Sequence, residues 1–371
     1  MNALSIKWLN GLKGAMALWI VIFHYLLAFA CFGYIGWNAI PTTAEAKVAY
    51  YWQYFPYSIL TNGSFPLFVF FAIIGFLPAY KFFTTGKSKF IKEQALVRYF
   101  RFLPYVLGAC LLSYVLMTGG YYYNEKVSVL LGNTWDNAIF AGVPFGFLDV
   151  LYAAFVGAFL NGSNVVTVFW CMNIIFFGSY LVYGIILCFG EAHKRKYIYA
   201  LLALALYFVP VYASFLAGIM AADVIASSEK ASSQKENSSG ILYLLLGFVI
   251  GNFPEVLLPS WINISIPYAV GSYFFIIACY QNSCLQKLLN ANLLQWLGDR
   301  TFSVIVTHPL ILFSFSCWQC LYLNSAGYGY EASLAITYAS AILPNLILAY
   351  TFDKIVAPLS KMLGTKIKTL L

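Results

Sequence analysis

The chain has 371 residues, of which 62% are hydrophobic and only 9% charged, against roughly 25% charged in an ordinary soluble domain. That balance excludes a water-soluble enzyme or binding domain and makes lipid the solvent for most of the surface. The formal charge of +8, from 21 Lys and Arg against 13 Asp and Glu, does not argue for a nucleic-acid partner, because the basic residues sit at the ends of apolar runs rather than in one patch.

A span needs about 20 apolar residues to cross a hydrocarbon core of about 30 Å. The sequence predicts an all-α, polytopic integral membrane protein of about ten transmembrane helices, at 14–36, 57–80, 102–118, 165–189, 198–210, 212–226, 241–258, 263–281, 301–321 and 333–353. Ala28-Phe29-Ala30 fits a signal-cleavage pattern, but the apolar run continues through it and is expected to stay as the first span. The fifth and sixth spans are short, with Pro210 expected to mark a tight outer connection between them.

Orientation follows from the basic residues. With both termini cytoplasmic, 19 of the 21 Lys and Arg fall on inner segments and only Lys47 and Lys126 lie outside, the asymmetry expected of cytoplasmic loops. The segments 37–56 and 119–137 are then outer and rich in Tyr and Trp, and 227–239 is a polar inner loop. The run 137–159 would score as a span by hydropathy, yet it holds Gly142, Pro144, Gly146 and Asp149, and a carboxylate at mid-membrane costs about 3 kcal/mol on insertion scales. Counting it as a span would also put Lys194, Arg195 and Lys196 outside. It is expected to be an outer, partly buried or re-entrant segment.

Few residues could carry chemistry. His24 lies eleven residues after Lys13 in GLKGAMALWIVIFHY, roughly 16 Å along a helix and hence near the bilayer midplane. An ionisable group there is a functional candidate, able to take a proton near neutral pH; it can equally be a neutral histidine bonded to a neighbouring helix. Arg98 and Arg101 in VRYFRFLP share a helix face, with Pro104 expected in the first turns of the third span. Beside Lys81, Lys87, Lys89 and Lys92 they form the densest positive segment, suited to phosphate or to topology anchoring. Asp299 and Arg300 open the ninth span and could pair with each other, and His308 follows within it just before Pro309. Trp170 and Asn173 lie early in the fourth span, and His193 adjoins an inner basic cluster. The 8 Cys, including the Cys317/Cys320 CxxC, read as small apolar fillers. There is no P-loop, HExxH, GxSxG or metal-ligand cluster, so no metal is expected.

These residues resemble acyltransferase family 3, integral membrane enzymes that include O-acetyltransferases of bacterial surface polysaccharides. The basic residue, ten positions and histidine of its first helix match Lys13 and His24. SFPLFVFFAIIGFLPAY resembles its FFxxSGF stretch, with Ile74 in the serine position. Arg98 and Arg101 fit its RxxR pair, and LGDRTFSVIVTHPLIL resembles its late LGxxSYxxYLxH segment, with His308 as the histidine. Where many relatives carry a glutamate a few residues after the tryptophan of the fourth span, this chain has WCMNIIFFGSY and no acid.

The resemblance implies one membrane-embedded acyltransferase domain over 1–371 in the plasma (inner) membrane. It implies acyl-CoA, acetyl-CoA first, as a donor substrate from the cytosolic side, with no bound cofactor, and a glycan or lipid-linked sugar as acceptor. His24 would be the catalytic base, and Lys13, Arg98, Arg101, Trp170 and His308 the substrate-binding residues. The runner-up is a transporter or flippase whose midplane histidine relays protons or lines a path.

Overall fold

The structure, a computed structural model, describes residues 6–29, 58–131, 145–230 and 239–369. The expected outer segment 37–56, the end of the first expected span, and parts of 119–137, 137–159 and 227–239 lie outside the described residues. Among the described residues there are helices and turns and no strand. In chain order the principal helices are α1 (Lys7–Phe29), α2 (Ser64–Thr85), α3 (Lys89–Thr118), α4 (Phe147–Leu160), α5 (Thr167–Phe189), α6 (Arg195–Leu206) and α7 (Pro210–Lys230). They continue as α8 (Ser239–Gly251), α9 (Ser265–Gln281), α10 (Asn292–Asp299), α11 (Thr301–Ser325) and α12 (Tyr330–Thr369).

Seven of these, α1, α2, α3, α5, α7, α11 and α12, are long and apolar enough to cross a membrane. The chain is therefore an all-α polytopic membrane protein. Where hydropathy predicts three further spans, α6, α8 and α9 are helices of 12, 13 and 17 residues; at about 1.5 Å per residue each falls short of the ~30 Å core. Pro210 opens α7 at its first position, where its missing N–H costs nothing.

The helices pack as two compact units, each drawn from three stretches of sequence. The first takes residues up to Ile20 of α1, then Gly36–Leu96 and Ile174–Asp299. Its centre is the crossing of α2 and α7, with α9 against both and α8 against α9. Gly75 and Gly218 make the crossing possible: a methyl group on Gly75 would stand 2.1 Å from Phe215 O, and one on Gly218 1.9 Å from Ala72 O. The Gly75 of the FFAIIGF stretch is thus where two helix backbones touch, the usual role of small residues in membrane helices. In the N-terminal half of α1, Gly14 abuts Leu294 O at 2.2 Å and Gly298 abuts Asn10 O at 2.0 Å, each measured from a methyl group built on the glycine. Arg195 clamps Asp223 with two 2.5 Å hydrogen bonds from Nε and Nη2, and Tyr199 Oη donates to the same carboxylate at 3.1 Å.

The second unit takes Val21–Ile35, Val97–Asn173 and Arg300–Leu371. α3 starts at Lys89 rather than near 102, so Arg98 and Arg101 lie in its body and Pro104 sits in its interior, not in its first turns. The cause is that KFIKEQALVR is rich in good helix formers, which hydropathy does not register. α4 runs back along α3: Phe147 lies beside Tyr114 (5.7 Å between ring centroids) and Phe159 beside Tyr99 (4.8 Å), fifteen residues or about 22 Å away on the helix. Val165 O then returns to accept a 2.6 Å hydrogen bond from Ser113 Oγ. The described part of the segment thus starts and finishes beside the same end of α3. Its non-helical return is satisfied locally, by Ser163 N donating to Phe169 O (3.3 Å) and Val165 N to Ser163 Oγ (3.2 Å), as membrane-depth backbone requires.

α5 separates the exposed Asn164 from the exposed Lys194, which gives a test of orientation. In a cysteine-free background, Asn164→Cys is expected to react with an impermeant thiol reagent added outside intact cells, and Lys194→Cys only after lysis. The reverse labelling would invert the topology drawn from the basic residues.

Candidate active site

The second unit brings His24 and His308 together. His308 Nε2 lies 3.2 Å from His24 Nδ1, and the ring centroids are 4.9 Å apart at 45°. Sequence spacing placed each in a span and gave no sign of their contact, 284 positions apart. His308 is 1% exposed and its Nδ1 lies 3.2 Å from the Val304 carbonyl one turn back. Pro309 follows it and has no N–H, so the Ile305 carbonyl loses its usual helical donor; that carbonyl also faces the His308 ring. His24 is half-buried.

Immediately after His24, Tyr25 anchors a polar knot. Its hydroxyl shares a 2.9 Å hydrogen bond with Ser316 Oγ and accepts one of 2.8 Å from Asn345 Nδ2. Ser316 closes a stretch of wider π-helix, Leu312–Ser316, inside α11; such insertions are frequent at functional sites. Tyr338 and Tyr330 of α12 donate to the Tyr25 and Phe29 carbonyls at 3.3 and 2.7 Å. The α1 segment that carries His24 is therefore fixed by side chains from α11 and α12, so its position is set by hydrogen bonds as well as by packing.

Arg98 and Arg101 occupy the body of α3. The Arg98 guanidinium lies 4.4 Å over the Phe102 ring, and Phe102 packs on Phe302 at the start of α11 (5.1 Å). Arg101 is exposed; its carbonyl accepts from Ser360 Oγ at 2.7 Å, and its side chain passes over Gly364, where a methyl group would approach Nε to 3.2 Å. Arg300 does not pair with Asp299, its sequence neighbour. Asp299 ends α10 and accepts from Asn10 Nδ2 at 2.8 Å, while Arg300 opens α11 and its Nε faces Asp353 Oδ2 of α12 at 3.8 Å. Ser303 Oγ (2.9 Å) and Tyr105 Oη (3.5 Å) also donate to Asp353. Asp353 is not among the residues the sequence singles out, although an acid closing the apolar run 333–353 is the signal that marks it.

Lys13 belongs to the first unit, where Asp299 is its electrostatic partner. Trp170 lies on the 3₁₀ turn Thr167–Cys171, which packs against α11, but its own side chain is 51% exposed. His193 is exposed in its loop. Cys317 and Cys320 are both buried free thiols in the apolar cluster around Tyr25 and Phe313. Of the sequence candidates, then, the structure joins His24 to His308 and sets the arginine pair on α3.

No family model, curated protein or solved structure matches the chain. What the site can do must be argued from its own chemistry. Two imidazoles in contact within a membrane unit can accept, hold and pass on one proton.

Proposed function

We propose that the chain is a plasma-membrane O-acyltransferase that moves an acyl group, acetyl first, from acyl-CoA to a hydroxyl of a cell-surface glycan or its lipid-linked precursor. The observation that carries this reading is the His24–His308 contact: a base held by a buried partner, on the α1 segment that Tyr25 fixes in place. In the reaction, His24 takes the proton of the acceptor hydroxyl as its oxygen attacks the thioester carbonyl. The C–S bond then breaks, the ester forms, and the departing CoA thiolate takes the proton back from His24. No oxidant, metal or external energy source is needed, since the thioester supplies the driving force.

Arg98 and Arg101 suit the phosphates of the donor, because guanidinium groups grip phosphate in a two-point fork. Arg101→Ala and Arg98→Ala are each expected to weaken acyl-CoA binding by roughly tenfold or more, since a hydrogen bond to a charged group is worth about 1.5–3 kcal/mol. Lysine should rescue only partly, because the fork is lost. Equilibrium binding of labelled acetyl-CoA to protein in lipid discs measures this; unchanged affinity in both alanine variants would leave the pair as topology anchors.

The function itself is tested by incubating purified protein with labelled acetyl-CoA and cell-envelope glycans. Label appearing in base-labile ester on glycan supports the reading. Movement of a solute or lipid across proteoliposomes without consumption of acetyl-CoA would replace it with the transporter reading, in which the same two histidines relay protons.

A further inference from the structure

The hydrogen bonds around the two histidines determine where the protons sit. A carbonyl oxygen can only accept, so the Val304 contact (3.2 Å) makes His308 Nδ1 the protonated nitrogen. A neutral imidazole carries one N–H, which leaves His308 Nε2 as an acceptor. The only way to satisfy the 3.2 Å contact to His24 Nδ1 is then for His24 to donate. His24 in turn carries its single proton on Nδ1, and its lone pair is on Nε2. The alternative, a charged His308, places an imidazolium in a 1% exposed position directly against a second imidazole. A buried charge without a charge partner is strongly unfavourable, and the carboxylate Asp353 is committed to Arg300 and Ser303 at the start of α11.

We infer that His308 is a positioning residue that fixes His24 in the Nδ1–H form and so makes Nε2 the atom that accepts the substrate proton. When Nε2 takes that proton, the imidazolium of His24 still donates through Nδ1 to His308 Nε2, so the charged state gains a stronger hydrogen bond than the neutral one. His308 thereby favours the state that forms during the reaction. It does for His24 what an orienting group does for any catalytic imidazole, and it does so as a neutral acceptor whose own direction is set by the Val304 carbonyl. The kinetic part of this inference rests on the acyl-transfer reading; the tautomer part does not.

The test uses full-length protein in lipid discs with ¹⁵N-labelled histidine. The chain has 3 His, and loss of a signal in His24→Gln identifies His24. Wild-type protein is expected to show His24 with a hydrogen-bearing Nδ1 and a bare Nε2. His308→Gln should keep that pattern, because the glutamine Oε1 can accept from Nδ1–H; His308→Ala should give a mixture of the two tautomers. In acetyl transfer, His308→Ala is expected to lower kcat roughly 10²-fold, the upper scale for outer-shell partners, with KM for acetyl-CoA unchanged, and His308→Gln to recover most of the loss. A wild-type spectrum with the proton on His24 Nε2 overturns the inference, and so does a tautomer that His308→Ala leaves unmoved. If His308→Ala does not fold, the wild-type and glutamine spectra still decide. If the tautomers behave as expected and no variant or wild-type protein transfers acetyl, the inference stands and the acyl-transfer reading falls.

Discussion

His24→Ala is expected to reduce acetyl transfer by roughly 10²- to 10⁴-fold, the range general acids and bases contribute, while the protein still folds. Two features of the site separate these effects. His24 is only half-buried, so truncation opens little core, and the hydrogen bonds that hold this stretch of α1 come from Tyr25 and from main-chain carbonyls, which the substitution keeps. The structural cost is the loss of a partner for His308 Nε2, and an unsatisfied buried group costs about 1–3 kcal/mol. A modest fall in the thermal midpoint in detergent should therefore accompany a near-complete loss of turnover. Retention of more than about half the wild-type rate would sit outside the range for a general base and remove His24 from the mechanism.

The second large effect is on assembly. Gly218→Leu is expected to abolish recovery of monodisperse protein, because a Cβ at this position would already stand 1.9 Å from Ala72 O and 2.9 Å from Phe76 N. The obstacle is the backbone of α2, which cannot turn aside as a flexible side chain could. Inserting side-chain volume into a packed core costs about 1–3 kcal/mol even where neighbours can shift, and separating α2 from α7 forfeits the close packing on which membrane helices rely. Gly184 of α5 supplies the control, since nothing lies within 4 Å of the position its Cβ would take. Gly184→Leu should elute and melt like the parent. Equal behaviour of the two variants on size exclusion would mean that α2 and α7 do not cross so closely.

Length and polarity alone were enough to find the membrane class and the places of most helices, because a span must be apolar over its whole length. His24 stands out because it is polar where lipid penalises polarity, and the arginines because they fall one turn apart in the densest positive segment. What remained hidden depends on partners far away in sequence. Nothing local to His24 announces His308, and nothing in LGDRTF says that Arg300 turns to Asp353 on α12 while Asp299 turns to Asn10. The first turns of α3, from Lys89, are helical yet charged, so hydropathy does not register them. Gly75 illustrates a subtler limit, since a glycine kept for backbone contact and one kept for a substrate look alike in FFAIIGF until Gly218 is seen against Ala72.

The return of the chain after α4 has a consequence for how the protein is made. A ribosome delivers α3 first and this segment next, but two of the hydrogen bonds that hold the return come from outside it, Ser163 N to Phe169 O at the head of α5 and Ser113 Oγ of α3 to Val165 O. Until α5 has been synthesised, Ser163 N lacks this acceptor, which is costly wherever water is excluded. The expected outcome is that this segment docks only after α5 has entered. Nascent chains truncated before residue 167 should leave it open to protease, and chains extended past 189 should protect it.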